Sequence, residues 1–454
     1  MPLDSLQIAG MLGKYETFTP PIPLKERLAK LKAFKKLLLA RRKEIAEAMK
    51  GDLWRQENET IDAELRPLLN IITFLIRKLP HLCGKRRVSD SVFTFPAFSS
   101  TVAEPFGRVL VVSSWNYPFL LALEPALGAF AAGNRVVLKL SRRAPRSMHL
   151  IAAMVETVFE PTEILPIGNT FPLAELLKYR YDFIFATGSA SMGHLVMRAA
   201  AEFLTPMVLE LGGKNPCIVT GGADLKTAAK RIVWSKFFNA GQSCIAPDYL
   251  LVHRKLKPQL LNLLNVYIRK FYGECPLEEF KFPSLPDREA YERICRLISS
   301  GRLIYGGGRD PQRFAIEPTI IDQLPQDAPV FKEEIFGPVL PVMEFFSEEE
   351  LLIQLKKNER PLAIYCFGTS KSLHKQLREN IPSGALVFND AMLQFANSHL
   401  PFGGIGNSGF GAYHGKLTFE TFCHRKSVMY KPNFPDWPPR YPGSFWRKLF
   451  KSFR

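Results

Sequence analysis

Apolar residues recur at helical spacing near the start of the chain, with lysines and arginines between them. These apolar positions are Leu24, Leu28, Leu31, Phe34, Leu38, Ile45 and Met49. The spacing predicts an amphipathic helix, and Ile61–Lys78 predicts a second one. The pattern then changes at Ser91–Val102, where aromatic and β-branched residues surround a proline. This segment predicts an extended arm or an edge strand.

From Gly107 onward, short apolar strands alternate with helices. The first run of predicted strands is 107–115, 134–140, 162–168 and 182–187, with helices at 120–132, 147–159, 173–179 and 192–203. After Glu210 the alternation resumes with strands 216–220, 249–253 and 362–368 and helices 225–238 and 257–272. Such alternation is typical of parallel sheets with right-handed crossovers. The sequence therefore predicts an α/β fold with one doubly wound, nucleotide-type unit and a second α/β unit.

Length and cysteine usage narrow the class of protein. A chain of 454 residues exceeds the size of a single core, so we expect two or three domains. Its seven cysteines are widely spaced and form no C-x-x-C pair, which argues against a disulfide framework or a metal site and favours a reducing, cytoplasmic compartment. The N-terminus has no secretory pattern, and Phe119–Leu140, the most apolar stretch, is interrupted by charged residues.

The chain is basic, with a formal net charge of +17, and basic surfaces attract polyanions. No nucleic-acid-binding motif accompanies the charge, so we do not expect a nucleic-acid partner. After the proline-dense residues 432–443, the last residues predict an amphipathic basic segment. Its apolar face consists of Trp446, Leu449, Phe450 and Phe453, and its basic positions are Arg447, Lys448, Lys451 and Arg454. Such a segment is suited to an anionic membrane surface, and a solvated tail or one packed on a partner subunit is the alternative.

Two residues, Cys244 and Glu210, are of the types needed to form and hydrolyse a thioester. Cys244 lies in FNAGQSCIAPDY, among small and polar residues rather than the apolar neighbours of a packing cysteine. Glu210 lies 34 residues earlier, before a Gly-Gly turn. A thiolate is a nucleophile and a carboxylate can activate water. Considered separately, however, the cysteine can be inert and the glutamate can cap a helix or pair with Lys214.

Five motifs in order from Leu24 to Tyr430 resemble the aldehyde dehydrogenase superfamily. They are WNYP around Asn116, GSASMG after the fourth strand, LELGGK around Glu210, GQSCIAPD around Cys244 and KEEIFGPVLP around Glu334. The closing segment, residues 397–428, is similar to the class 3 branch, which acts on fatty and aromatic aldehydes. The resemblance implies NAD(P)-dependent oxidation of such aldehydes to carboxylic acids.

The resemblance also implies roles for the catalytic residues. Cys244 would attack the aldehyde, Asn116 and the backbone N–H of Cys244 would hold the oxyanion, and Glu210 would activate the hydrolytic water. Trp115 and Tyr117 would form walls of the aldehyde pocket. His414 would lie at the substrate entrance, although a structural histidine is an equal alternative.

On the cofactor side, the resemblance assigns the adenosine ribose to Lys139, the pyrophosphate to Gly188 and Ser189, the nicotinamide ribose to Glu334 and the nicotinamide ring to Phe336. Taken alone, the G-S-x-x-x-G spacing is a weak phosphate signal. The family commonly has Lys-Pro-Ser-Glu where this chain has Lys139-Leu140-Ser141-Arg142. Arg142, supported by Arg143 and Arg146, suits the 2′-phosphate of NADP, so NADP is expected to be accepted and preferred over NAD.

The same resemblance divides the chain. A dinucleotide-binding domain would comprise 1–85 and 104–210, and a catalytic domain 211–397. Segments 86–103 and 398–431 would form a small β-arm that joins two subunits of a homodimer, and 432–454 would be a linker and tail. Two other functions stay open: a CoA-acylating dehydrogenase, which typically lacks the water-activating carboxylate, and a non-catalytic scaffold with the same fold.

Overall fold

The computed structural model describes residues 5–14, 20–169, 171–278, 282–325, 327–436 and 441–442. Its α-helices are α1 (Ser5–Gly13), α2 (Leu24–Ala40), α3 (Arg42–Leu53), α4 (Glu57–Thr60), α5 (Arg66–Leu82), α6 (Pro118–Ala132), α7 (Pro145–Val158), α8 (Leu173–Leu176), α9 (Ala190–Ala201), α10 (Leu225–Phe237), α11 (Lys257–Tyr272), α12 (Arg288–Ile298), α13 (Pro329–Lys332), α14 (Glu348–Lys357), α15 (Lys371–Asn380) and α16 (Leu417–Glu420).

The strands are β1 (Arg86–Arg87), β2 (Phe98–Pro105), β3 (Arg108–Val112), β4 (Arg135–Lys139), β5 (Ile164–Ile167), β6 (Phe183–Gly188), β7 (Met207–Leu211), β8 (Pro216–Val219), β9 (Tyr249–His253), β10 (Arg302–Tyr305), β11 (Arg309–Asp310), β12 (Ala315–Ile316), β13 (Thr319–Asp322), β14 (Val339–Phe345), β15 (Ala363–Phe367), β16 (Ala385–Phe388), β17 (Gly409–Phe410) and β18 (Cys423–Tyr430).

The first large sheet has the order β17-β7-β6-β3-β4-β5 and is parallel apart from β17. The chain enters at β3, continues to β4 and β5 on one side, and then returns to β6 and β7 on the other side. Such a reversal opens a crevice at the carboxyl ends of the strands, where ligands bind in doubly wound folds. Asn116, Lys139 and Gly188 all lie at or just after these carboxyl ends. The predicted α/β fold class is confirmed.

The second large sheet has the order β10-β13-β14-β9-β8-β15-β16, in which β10 alone runs antiparallel to its neighbour. Only four residues separate the end of β7 from the start of β8. The carboxyl edge of the first sheet therefore meets the amino edge of the second. Cys244 lies in the segment that leads into β9, and Glu334 in the segment that leads into β14. Both residues are thus brought to the junction between the sheets.

A third sheet, β1-β2-β18, is small and antiparallel. Its longest pairing extends from Phe98 opposite Tyr430 to Pro105 opposite Cys423. It combines parts of the two segments predicted as an arm. Apolar side chains cluster on it and are exposed: Val88, Val92, Phe95, Phe98, Met429 and Tyr430.

Several elements differ from the sequence-based prediction. The first predicted helix is two helices, because the backbone leaves helical geometry at Arg41, within the seven-residue gap between apolar positions 38 and 45. The second begins as a π-helical turn, Ile61–Leu65, and becomes α5 only around Pro67, which has no N–H to donate. The predicted extended arm starts as a 3₁₀ turn at Val92–Thr94. Helix α1 and strand β7 had no counterpart in the prediction.

Helix α6 lies in the centre of the first unit. All of its residues are buried, including the charged Glu124. A helix that is apolar on every side is normally a core helix, and here it packs against α5, α16 and the sheet. Because α6 begins directly after Asn116, the core fixes where the candidate site starts.

Within the described residues no helix is both long and apolar enough to cross a membrane. The same residues contain no cluster of three or more histidine, cysteine or acidic side chains suited to a metal ion. The predicted amphipathic face from Trp446 to Phe453 lies outside the described residues. All seven cysteines are free thiols.

Candidate active site

The loop that carries Cys244 contains a left-handed turn. Asn239, Ala240 and Gly241 follow α10 with φ values of 51°, 52° and 72°. Non-glycine residues adopt this conformation at a cost, so surrounding contacts must impose it. At Gly241 a β-carbon would lie 2.3 Å from the carbonyl oxygen of Gly337, so only glycine fits. The turn thereby holds the cysteine loop against the segment that carries Glu334.

A fully buried arginine supports this turn. Arg55 donates from Nη1 to Glu64 Oε1 at 2.8 Å and from Nε to Asn239 Oδ1 at 3.1 Å, and its Nη2 donates to the carbonyl oxygen of Asn116. The other oxygen of Glu64 accepts the backbone N–H of Leu120, in the first turn of α6, at 2.9 Å. Sequence reasoning missed Arg55, Glu64 and Asn239, because a polar residue between two helices gives no periodic signal of burial.

Asn116 is tied to the cysteine loop. Its Nδ2 donates to the carbonyl oxygen of Gln242 at 3.1 Å, and Gln242 is two residues before Cys244. The side chain of Asn239 also joins these two segments. Its Nδ2 donates to the backbone carbonyl of Asn116 at 3.0 Å and to that of Gln242 at 3.2 Å. Since an amide NH₂ has two hydrogens, Asn116 keeps one donor for a ligand.

Cys244 is half-buried, and its backbone carbonyl accepts Asn215 Nδ2 at 2.7 Å. Burial raises the pKa of the Cys244 thiol, and the carboxyl groups of Glu334 and Glu210 raise it further. The thiol is therefore protonated at rest. It becomes a nucleophile only when a base takes its proton.

Glu210 is the nearby carboxyl group best suited to that task. It lies in β7 and is 4% exposed, and neither of its carboxylate oxygens has a hydrogen-bond partner within the described residues. Burial raises the pKa of Glu210 well above its ordinary value, and the charge of Glu124 adds to the effect. A buried carboxyl group without a partner is costly unless water or substrate contacts it. Such a group is a base whose ionised fraction grows as the pH rises.

Glu334 and Phe336 lie in the segment that leads into β14, and the carboxyl group of Glu334 acts on Cys244. Burial and the charge of Asp248 raise the pKa of Glu334 to about 8. Its carboxylate lies so close to Gly212 that a β-carbon there would be 1.9 Å from Oε2. Phe336 adopts a left-handed conformation, with φ of 47°, and its ring packs edge-on against Trp115 at 5.6 Å between centroids.

Lys214 holds the Glu334 segment in place. Its ammonium group pairs with Asp248 and donates to the carbonyl oxygens of Val330 at 2.6 Å and Glu333 at 3.0 Å. The other oxygen of Asp248 accepts the N–H of Ile335 at 2.8 Å. Lys214 is therefore engaged away from Glu210, which leaves the alternative of a Glu210–Lys214 pair without support.

The residues predicted for a dinucleotide lie around the carboxyl ends of β4 and β6. Ser189 caps α9, a twelve-residue helix, by accepting the N–H of Met192 at 3.3 Å. The remaining amides of the first turn of a helix can bind a phosphate. Lys139 donates to the carbonyl of Gly168, and burial together with the Arg142 charge lowers the pKa of Lys139 to about 8. Helix amides and neighbouring cations fit a phosphorylated nucleotide.

The three arginines after Lys139 have different surroundings. Arg142 is exposed, and its charge acts on Lys139. Arg143 pairs with Asp287 at 2.9 Å and Glu289 at 3.0 Å, at the start of α12. Its charge is therefore largely balanced, contrary to the expectation that it supports Arg142. Arg146 packs its side chain over Gly51.

The two remaining pocket candidates are buried. Tyr117 lies under Arg55, with 4.9 Å between the guanidinium carbon and the ring centroid. His414 is 7% exposed, stacks on Phe395 and hydrogen-bonds through Nδ1 to Glu124 Oε1 at 3.0 Å. It borders a cavity of about 10 Å³, enough for about one water molecule. His414 therefore lies inside the protein, hydrogen-bonded to a buried carboxylate, which favours the structural alternative for this histidine.

Comparisons with known proteins agree with this geometry. Residues 18–428 match the family model described as "Aldehyde dehydrogenase family". The chain is 39% identical to aldehyde dehydrogenase family 3 member H1 of Arabidopsis thaliana over 405 residues, which cover 88% of this chain and 84% of that protein. It is 36% identical to the dimeric NADP-preferring aldehyde dehydrogenase of Canis lupus familiaris over 426 residues, which cover 93% and 94%.

A solved structure of similar shape is described as the substrate-bound state of Staphylococcus aureus AldH. It has a TM-score of 0.91 and 34% sequence identity, and the match covers 95% of both chains. The relative from Arabidopsis thaliana is a family 3 member, and so is aldehyde dehydrogenase family 3 member A2 of Pongo abelii, which is 35% identical over 94% of this chain and 90% of that protein. Both agree with the class 3 resemblance of the closing segment. The chain belongs to the aldehyde dehydrogenase family and is an NAD(P)-dependent aldehyde dehydrogenase.

Proposed function

We propose that this chain oxidises medium- or long-chain aliphatic or aromatic aldehydes, with Cys244 as nucleophile, Asn116 as oxyanion donor and Glu210 as general base. One observation carries the proposal: the Glu210 carboxyl group is buried near the Cys244 thiol with no hydrogen-bond partner among the described residues, while Asn116 is hydrogen-bonded to the cysteine loop. The aromatic rings of Trp115 and Phe336 beside this group support an apolar substrate.

The chain's own residues account for the proton and charge movements. Glu210 takes the thiol proton as Cys244 Sγ bonds to the aldehyde carbon, and the resulting oxyanion accepts hydrogen bonds from Asn116 Nδ2 and the Cys244 N–H. When bound, the oxidised nicotinamide cofactor supplies the acceptor for the two electrons removed from that carbon. Glu210 releases the thiol proton to solvent, and it then takes a proton from water as the hydroxyl bonds to the thioester carbon. The C–S bond breaks, and the sulfur recovers its proton.

NADP is proposed as the preferred cofactor. Arg142 stands where the family commonly has a glutamate that repels a 2′-phosphate, and its charge lies near Lys139. Gly188 and Ser189 would bind the pyrophosphate, Glu334 the nicotinamide ribose and Phe336 the nicotinamide ring. A relative named as NADP-preferring supports this assignment.

The arm supports a homodimer as the working form. Its exposed rings Phe98 and Tyr430 contact each other across the β2–β18 pair, with centroids 6.4 Å apart. Apolar patches of this kind are costly to leave in water and mark interaction sites. A second copy of the chain is the proposed occupant, and a relative named as dimeric supports it. The dinucleotide-binding domain would then be 1–85 and 104–210, the catalytic domain 211–397 and the arm 86–103 and 398–431.

The enzyme is proposed to be cytoplasmic, with the tail in peripheral contact with an anionic membrane. The seven free thiols favour a reducing compartment. Trp446, Leu449, Phe450 and Phe453 share a face in the helical pattern, between basic residues.

Glu210→Gln is expected to separate the two half-reactions. Without the carboxylate, thioester hydrolysis should slow about 10²–10⁴-fold. The NADPH burst should keep an amplitude of one equivalent but form more slowly, because Glu210 also takes the thiol proton. Stopped-flow absorbance would measure the burst, and mass spectrometry would locate the acyl group on Cys244. Cys244→Ser should abolish both the NADPH burst and the acyl group on residue 244. A CoA-acylating enzyme would instead release its product only when CoA is present. Full turnover by Cys244→Ala would refute the proposal.

Arg142→Glu is expected to lower kcat/KM for NADP at least about tenfold and to leave NAD nearly unaffected, since it turns an attraction for the 2′-phosphate into repulsion. The measurement is kcat/KM with each cofactor at saturating aldehyde. The adjacent Arg143→Gln is the matched control, because Arg143 is paired with Asp287 and Glu289. The assignment is contradicted if the ratio of kcat/KM for NADP to kcat/KM for NAD is unchanged in Arg142→Glu, or if this ratio changes equally in Arg142→Glu and Arg143→Gln.

Phe98→Glu is expected to shift the protein from dimer to monomer, because it places a charge in the apolar arm. Sedimentation velocity would measure the change. Leu303→Glu is a control at an exposed apolar residue of β10, away from the arm. Dimers that persist in Phe98→Glu, or dissociation in both variants, would exclude the arm as the interface.

Full-length enzyme is expected to co-sediment with vesicles containing phosphatidylserine, and a version ending at Lys431 is not. Phosphatidylcholine vesicles should bind neither protein, because the tail's basic residues require an anionic surface. Replacing Leu449 and Phe450 with serine keeps the charge and should weaken binding. Equal pelleting of the full-length and shortened proteins would exclude the tail as an anchor.

A further inference from the structure

A groove lined by cations lies between the outer faces of α2 and α5. The two helices contact each other, and their buried faces belong to one apolar core. The groove has a volume of about 390 Å³, which is within the size range of small-molecule sites. We call it the basic groove after four of the residues that line it: Lys32, Lys35, Lys36 and Arg77.

The cations of the basic groove lack acidic neighbours. No acidic side chain is among the described residues that line it, and none of the four cations forms an ion pair with another described residue. Other basic residues of the same helices are balanced: Lys30 of α2 pairs with Glu163, and Arg66 of α5 pairs with Asp62 at 2.8 Å. The positive charge at the groove is therefore available to an anion.

The arrangement of these cations does not stabilise the helices themselves. Lys32 and Lys36 lie four residues apart on α2, where like charges repel each other and destabilise a helix. The one acidic residue of α2 is Glu26, in its first turn, and the sequence of α5 contains none. An anion bound between the lysines would remove this repulsion.

One ammonium group of the basic groove is already oriented. Lys35 Nζ donates to Thr73 Oγ1 at 2.7 Å, from α2 to α5, and Thr73 Oγ1 donates to the carbonyl oxygen of Leu69 at 2.6 Å. These hydrogen bonds fix Lys35 Nζ at the groove and leave it two N–H groups for a ligand. Donors that are oriented before binding lower the entropic cost of association.

Two aliphatic side chains lie among the cations. Leu39 is 48% exposed, and Ile76 is half-buried. This combination suits a compact molecule that has both C–H surface and several anionic groups. A nucleic-acid surface usually offers aromatic rings on which bases stack, and no aromatic residue is among the described residues that line the groove.

We propose that the basic groove binds a polyphosphorylated polyol, such as an inositol phosphate, either free in solution or as the head group of a membrane lipid. Two phosphate groups of about −2 each balance the four cations. The carbon ring between the phosphates would pack on Leu39 and Ile76. None of the groove residues belongs to the proposed catalytic or cofactor site, so the inference does not depend on the proposed function.

The test is isothermal titration calorimetry of the full-length enzyme with inositol 1,4,5-trisphosphate. NADP is present at saturation, so that the phosphate-binding groups of the cofactor site are occupied. Wild-type enzyme should bind one equivalent, and the binding should weaken as the ionic strength rises. Lys32→Gln/Lys36→Gln should raise the Kd at least about tenfold, because it removes two charge-assisted contacts to phosphate.

The matched control is Lys226→Gln/Lys230→Gln, which removes the same charge at the same spacing from an exposed face of α10. It should leave the Kd nearly unchanged. Thr73→Val keeps the charge but releases Lys35, so it should raise the Kd by a smaller factor than the groove double variant. Aldehyde oxidation and thermal unfolding should stay at wild-type values in both double variants. Absence of binding by wild type, or an equal loss in both double variants, overturns the inference and leaves the proposed function standing.

Vesicle co-sedimentation distinguishes the two sources of the ligand. The vesicles contain phosphatidylcholine and phosphatidylinositol 4,5-bisphosphate, and the C-terminal tail is intact in all proteins. If the groove binds a lipid head group, the groove double variant should pellet less than the control double variant. Equal pelleting, together with weaker trisphosphate binding by the groove variant alone, supports a free ligand. Equal pelleting together with equal Kd values excludes the basic groove as a polyphosphate site.

Discussion

The site depends on one interaction, the fully buried ion pair between Arg55 and Glu64. Its members contact the carbonyl of Asn116, the side chain of Asn239 and the first turn of α6. Three segments distant in sequence are thereby fixed relative to one another. Removing one partner of a buried pair typically costs about 3–5 kcal/mol, since the other charge is left uncompensated. The left-handed turn before Cys244 is held by this pair and not by its own sequence preference.

The chemistry is placed in an acidic, poorly solvated environment. Burial raises the pKa values of Glu210, Glu334 and the Cys244 thiol, and the carboxyl groups of Glu334 and Glu210 raise the pKa of the thiol further. The resting site therefore keeps its protons and little net charge, which avoids the cost of several buried anions. Each ionisation needed for turnover must be compensated by a nearby group, so small changes in the surrounding charges should alter the rates strongly.

Sequence patterns identified the architecture and most of the candidate residues. Strand and helix alternation predicted the doubly wound unit and the second α/β unit, because buried parallel strands are short apolar runs bounded by turns. The GQSCIAPD and WNYP strings identified Cys244 and Asn116. The sequence did not predict roles for Arg55, Asn239 and Glu124, because these roles arise from contacts with residues far away in the chain. The contact between His414 and Glu124 was not predictable either, because the two residues are 290 positions apart in the sequence.

The ion pairs of Arg143 with Asp287 and Glu289 have a consequence of their own. They link the segment after β4, on the nucleotide side, to the start of α12 on the catalytic side. Both acidic partners are partly exposed to solvent, so dissolved ions screen these two ion pairs. The strength of this link depends on ionic strength. The two α/β units are therefore held together more loosely at high ionic strength than at low ionic strength.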